Sequence, residues 1–333
     1  MENKNSTRSI VEAGLMSAIV VVLMLISAYV PVLGFMGLFA LPIPITMLVV
    51  RHNIKVASIS VVASAVLISF LLNPITGIGT LALYGLAGIT LGYCVKTNKN
   101  AVVSIAVQGI AIIIGTIIDF SLYIYLMLNS TLYKFAEMNV NMLKESFNVS
   151  MNLYKSVGLD IQSHPMFKSI EALNVEMFFL MIPAMLILSA FFMSYINYLI
   201  TKQIFKKMKI ELGALPKFNY WYFDNRLTAF IIIIVCLGII LSTSGIKAGE
   251  YITATAISIL QMIFLIIGVS VLTFFLRNRF KVPKALTVVI ILFTIGSFGY
   301  FYTILGLTDS IMDMRGLDPN SIKNTLAKRF KKK

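Results

Sequence analysis

Few side chains in this 333-residue chain could do chemistry, and the most conspicuous is Asp119, in the apolar run "GTIIDFSLYIYLML". Nine residues separate it from the end of its run, roughly 13 Å of helix, which sets the carboxylate below a membrane interface. A carboxylate at the centre of a bilayer costs about 2.5–3.5 kcal/mol on insertion scales, and such groups face a cavity or a partner. Asp119 is therefore expected either to bind a ligand, a cation or a proton, or to pair with a neighbouring helix and fix packing. Asn73 and Thr76, in the short turn "LNPITG", could reach the same cavity, as could Tyr123 and Tyr125.

The other catalytic patterns are missing from the sequence. His52 and His164 are the only histidines and sit in different connectors, so the three or four convergent ligands of a zinc site are not in view. There is no H-E-x-x-H, C-x-x-C or G-x-S-x-G, and no G-x-x-x-x-G-K-[ST] phosphate loop. Cys94 and Cys236 lie in separate apolar stretches and read as small core residues. The expectation is a protein without metal, cofactor or enzyme activity, for which ATP-driven work would need a separate ATPase.

The elements that position these residues follow from composition. The chain is 58 % hydrophobic and 13 % charged, with a mean hydropathy of +0.89; a soluble domain carries about 25 % charged residues. Several uncharged windows reach the ~20 residues that cross a hydrocarbon core, and the long Ile/Leu/Val runs lack the alternation of a barrel. The class is an all-α polytopic membrane bundle of eight or nine crossings. Nine apolar segments stand out, at 12–31, 36–50, 55–72, 76–95, 101–128, 176–200, 227–243, 251–276 and 284–307. The first lacks an A-x-A-like cleavage site and reads as a retained span.

Net charge is +14, but the basic residues cluster in short connectors, which points away from nucleic acid and towards the positive-inside bias. Connectors 51–55, 96–100, 201–226 and 277–284 are basic, while 73–75 has no Lys or Arg and 244–250 has only Lys247. This alternation places the N-terminus and the basic connectors in the cytoplasm, and requires 36–50 to cross despite Pro42 and Pro44. At the far end, "TIGSFGYF" allows either one crossing or a re-entrant hairpin that returns the tail "KNTLAKRFKKK" to the cytoplasmic side. The tail suits anionic headgroups. The non-cytoplasmic stretch 129–175 reads as two short amphipathic helices separated by "VGLDIQSHP", with Gly158 and Pro165 as breakers, lying on the outer leaflet or folded back as a lid. Tyr220, Trp221 and Tyr222 read as headgroup-level aromatics.

Small residues recur at four-residue spacing, as Ala13/Ser17, Gly14/Ala18 and the literal G-x-x-x-G of Gly88 and Gly92. Such strips let helix backbones approach closely, within the chain or against another protein. Gln108, Asn197 and Gln261 are expected to hydrogen-bond between helices.

On six apolar segments, on "AGLMSA" in the first helix and on "ALPIPITMLVV" leading into a short second span, residues 1–205 resemble the substrate-binding S components of energy-coupling factor (ECF) transporters. The resemblance implies docking of a coupling subunit on Ala13, Gly14, Ser17 and Ala18, with Ser17 where the family's strip has alanine. It also implies an outer-half pocket of Asn73, Thr76, Asp119 and Tyr123 for an unidentified small molecule. The whole chain resembles the YybS-type bacterial membrane proteins through "LPKFNYW" and the closing "LGLTDSIMDMR", although Phe223–Asp224 replaces a proline-containing turn. Segments 227–307 add two or three helices beyond an S component, followed by the tail 308–333. The expected function is small-molecule uptake in a bacterial cytoplasmic membrane, coupled to a separate ATPase; the alternative is a scaffold recruiting a cytoplasmic or envelope protein.

Overall fold

The computed structural model describes residues 2–30, 34, 37, 39–156 and 172–318, and among them there is no strand. Seven helices are long and apolar enough to cross a bilayer, or eight if a bent pair near the C-terminus counts as one span. The chain is an all-α polytopic membrane bundle. It divides into two compact units, Met1–Phe179 with Met185–Leu215, and Leu180–Ala184 with Pro216–Lys333. His164, Gly158, Pro165 and the basic tail beyond Asp318 lie outside the described residues.

The first unit holds α1 (Glu2–Tyr29), α2 (Pro42–Arg51) and α3 (Ile54–Leu71). It continues through α4 (Pro74–Lys96), α5 (Ala101–Met127), α6 (Leu132–Ser156) and most of α7 (Val175–Lys207). Asparagine starts four of these helices: Asn53, Asn73, Asn100 and Asn174 accept from the backbone N–H groups of Val56, Thr76, Val103 and Met177. Each cap satisfies a first-turn donor that has no partner inside the helix, a contribution of about 1 kcal/mol.

The prolines of the second apolar segment are placed by the same rule. Pro42 and Pro44 fall in the first turn of α2, where a missing N–H costs no intrahelical bond. With ten residues, α2 is about 15 Å long, half a hydrocarbon core of about 30 Å, so its helix alone does not make the crossing expected of 36–50. It is buried by its neighbours instead: Leu41, Ile45, Leu48 and Val49 are fully enclosed. Gly88 and Gly92 of α4 face it, and a Cβ at either would sit 2.7 Å from the Cβ of Ile45 or 2.6 Å from that of Val49. Thr46 Oγ1 donates to the Gly88 carbonyl at 3.1 Å. The G-x-x-x-G strip thus holds two helices of the same chain together.

At one end of the unit, Glu12 of α1 meets the close of α2. Its Oε2 lies 2.8 Å from His52 Nε2 and 3.6 Å from Arg51, and its Oε1 accepts from Arg8 at 3.3 Å. Lys96, closing α4, donates to the His52 carbonyl. The basic residues that charge parity assigns to one side therefore meet at one end of the unit. Helix α6 carries the apolar stripes Leu132/Phe135/Met138/Met142 and Leu143/Phe147/Met151/Tyr154 on one continuous 25-residue element, while the breaker "VGLDIQSHP" that follows it lies outside the described residues.

The second unit contains a short 3-10 turn at Phe218–Tyr220, α8 (Asn225–Thr243), α9 (Lys247–Arg279), α10 (Lys284–Ile295) and α11 (Gly299–Met312). Helices α10 and α11 are bent by 113° across Gly296–Phe298. Gly268 and Gly306 let α9 and α11 touch backbone to backbone: a Cβ on the first would strike the Tyr302 carbonyl, and one on the second the Phe264 carbonyl. Asp318, beyond α11, accepts from the backbone N–H of Asn225 at the start of α8 (3.2 Å). The chain thus leaves the pair α10–α11 at the end of the unit where α8 begins. Arms of 12 and 14 residues span about 18 and 21 Å, so neither crosses by itself, and the bent pair is either a broken span or a re-entrant hairpin.

Candidate functional site

Asp119 borders a cavity of about 250 Å³ in the first unit, with Thr76, Thr80, Tyr84 and Tyr123 as its other polar lining and Met24, Leu83 and Phe120 among its apolar walls. Among the described residues, no hydrogen bond or ion pair engages the Asp119 carboxylate. Gly79 makes room for it, since a methyl group there would collide with Oδ1. Both helices that frame the cavity depart from α geometry at it: α4 is π-helical over Leu81–Gly85 and α5 over Tyr123–Met127. A π turn inserts a residue and re-aims the side chains around it, and such turns are frequent at functional sites. At the rim, Phe120 meets Phe135 of α6 edge-on with centroids 5.6 Å apart, so the amphipathic helix packs beside the cavity.

The structure brings Thr76, Asp119 and Tyr123 together and leaves Asn73 out. Asn73 is the helix cap of α4, its Oδ1 occupied by the Thr76 N–H at 2.8 Å, and it does not line the cavity. Tyr125 is also not part of the lining.

The small-residue strip of α1 divides. Ala13 and Ser17 are buried against α3, where Ser17 Oγ contacts Ser60 Oγ at 2.8 Å and Ser60 Oγ donates to the Ala13 carbonyl at 3.2 Å. Helix α3 thus occupies the face of Ala13 and Ser17 that the resemblance assigns to a coupling subunit. Gly14 and Ala18 point away from the unit, and nothing lies within 4 Å of a Cβ built at Gly14.

Gln108 and Asn197, both fully buried, bond to each other. Gln108 Nε2 donates to Asn197 Oδ1 at 2.8 Å, Ser194 Oγ donates to Gln108 Oε1 at 3.0 Å, and Asn197 Nδ2 donates to the Phe39 carbonyl at 2.8 Å. This ties α5 and α7 to the backbone just before α2. Gln261 is exposed on α9 and takes no part.

A second polar centre, which the residue-by-residue reading of the sequence did not single out, lies in the second unit. The side chain of Arg315 is completely enclosed and pairs with Asp309 at 2.8 Å. Its remaining donors reach the Asn219 carbonyl (3.0 Å), the Trp221 carbonyl (2.7 Å) and Ser270 Oγ (2.8 Å). Asp313, in left-handed conformation at φ 48°, accepts from the N–H groups of Leu317 and Asp318. Both stretches that carry the YybS-type resemblance, "LPKFNYW" and "LGLTDSIMDMR", meet in this centre. That shared location is the signal that could have found it.

The helical bundle and its buried polar centres define a polytopic membrane protein. A family model described as predicted membrane protein (DUF2232) matches residues 18–310, and the chain belongs to that family. Uncharacterized protein YybS of Bacillus subtilis (strain 168) is 23 % identical over 296 residues, covering 86 % of this chain and 90 % of the relative. No solved structure matches.

Proposed function

We propose that this chain is a small-molecule-binding membrane subunit of an ECF-type uptake system or a close relative, without enzyme activity of its own and driven by a separate ATPase. The observation that carries the reading is the Asp119 carboxylate, unengaged among the described residues and facing a cavity in a unit otherwise built from apolar spans. One carboxylate, two threonine hydroxyls and two phenols among apolar walls suit a small amine or other organic cation. The volume, just below the ~300–1,000 Å³ of drug-sized pockets, sets the size class. The outward strip of Gly14 and Ala18 is the surface left for a coupling subunit.

Native mass spectrometry of the full chain purified in mild detergent tests this. The expected result is a co-purifying ATPase module and a small organic cation, the cation lost in Asp119→Asn and the module lost in Gly14→Leu/Ala18→Leu. Recovery of structural proteins alone, with no small molecule, would replace this reading with that of a scaffold.

A further inference from the structure

A cavity larger than that of Asp119, and separate from it, belongs to the second unit. It encloses about 720 Å³ between the Phe218–Tyr220 turn, the end of α9 and the first turns of α10. Three of its lining residues are cationic, Lys217, Arg277 and Lys284, and none is acidic. Among the described residues none of the three forms an ion pair, although four ion pairs are made elsewhere. Asn219 and Asn278 add neutral polar groups, and Val288, Ile291 and Leu292 form an apolar wall running along α10 away from the cations.

This is an amphipathic site with a fixed direction. The cations lie where apolar helices end, the level of phosphate headgroups, and the apolar wall descends from there along α10. Basic pockets at the ends of membrane helices attract anionic headgroups with about 1 kcal/mol per Lys or Arg. A free phosphate would use the cations and leave the wall idle, whereas a phospholipid uses both. We infer that this cavity binds an anionic phospholipid, its phosphodiester held by Lys217, Arg277 and Lys284 and the start of an acyl chain laid along Val288, Ile291 and Leu292. The inference stands independently of the uptake reading.

Trp221 is the single tryptophan of the chain, and its ring centroid lies 5.2 Å from that of Phe218, which lines the cavity. The test is quenching of Trp221 in the full chain reconstituted into phosphatidylcholine vesicles containing either dibrominated phosphatidylglycerol or dibrominated phosphatidylcholine. Binding should favour the anionic lipid about fivefold, the equivalent of one basic side chain at a charged surface. The preference should vanish in Lys217→Gln/Arg277→Gln/Lys284→Gln and persist in Lys247→Gln, which removes a cation from the connector at the other end of α8. If the triple variant fails to fold, the exposed Arg277→Gln alone must lower the preference. Equal quenching by the two lipids, or a preference untouched by these substitutions, overturns the inference. Inorganic phosphate that abolishes the preference where chloride of equal ionic strength does not reassigns the site to a free anion.

Discussion

At Asp119 the decisive comparison is between charge and shape. The carboxylate sits in the gap left by Gly79 and lines the cavity, while no described residue offers it a compensating cation. Removing the charge while keeping the shape should therefore stabilise the empty protein. Asp119→Asn is expected to raise the thermal unfolding midpoint in detergent by a few degrees and to abolish the stabilisation conferred by a bound organic cation; an unchanged ligand response would remove Asp119 from the site. Gln108 presents the opposite case. Interhelical bonds in membranes average about 0.6 kcal/mol, but Gln108→Leu strands Asn197 and Ser194 together, and each buried unsatisfied group costs about 1–3 kcal/mol. Gln108→Leu should cost about 2 kcal/mol in reversible unfolding, and Gln108→Leu/Asn197→Leu less than the sum of the single variants.

Among the elements, the pairs α2–α4 and α9–α11 depend on glycine faces. Gly92→Val should push α2 away from α4 at a cost of about 1–3 kcal/mol of overpacking, read as a lower unfolding midpoint. A larger effect is expected where α11 is pinned by Arg315. Arg315→Met leaves Asp309 buried without its cation, a loss of about 3–5 kcal/mol, and frees the turn at Phe218–Tyr220 for proteolysis. Arg315→Met/Asp309→Leu should recover most of that stability. Spans of this kind are legible in a sequence because hydropathy is local: segments 55–72, 101–128 and 227–243 fall close to α3, α5 and α8. Asp119 stood out in the sequence because a charge in an apolar run is costly wherever it lies. The partner of Ala13 and Ser17 did not, since spacing shows that a strip can pack and never names what packs on it. Asn73 misled because the same side chain serves as cap or ligand, although the following proline fits the cap reading. Arg315 escaped because in one dimension a buried guanidinium is indistinguishable from a solvated one.

For the molecule as a whole, the contacts of Glu12 with Arg51 and His52, and of Lys96 with His52, place three basic segments at one end of the first unit. In the second unit a re-entrant α10–α11 would set Arg279 and Met314, both exposed, on one side of the membrane. Single cysteines at these two positions, in a background with Cys94 and Cys236 replaced, should react with a membrane-impermeant maleimide from the same face. Labelling from opposite faces would make α10–α11 a single crossing.

The Arg315 centre also ties the second unit to the order in which its chain is made. The Asn219 carbonyl waits 96 residues for the guanidinium that will take it. At about 5–20 residues per second that is an interval of about 5–20 s, during which α8 and α9 are themselves made while their closing contact is still unsynthesised. A chain ending just before Arg315 would thus hold both long helices of this unit without the side chain that ties the Phe218–Tyr220 turn to α11.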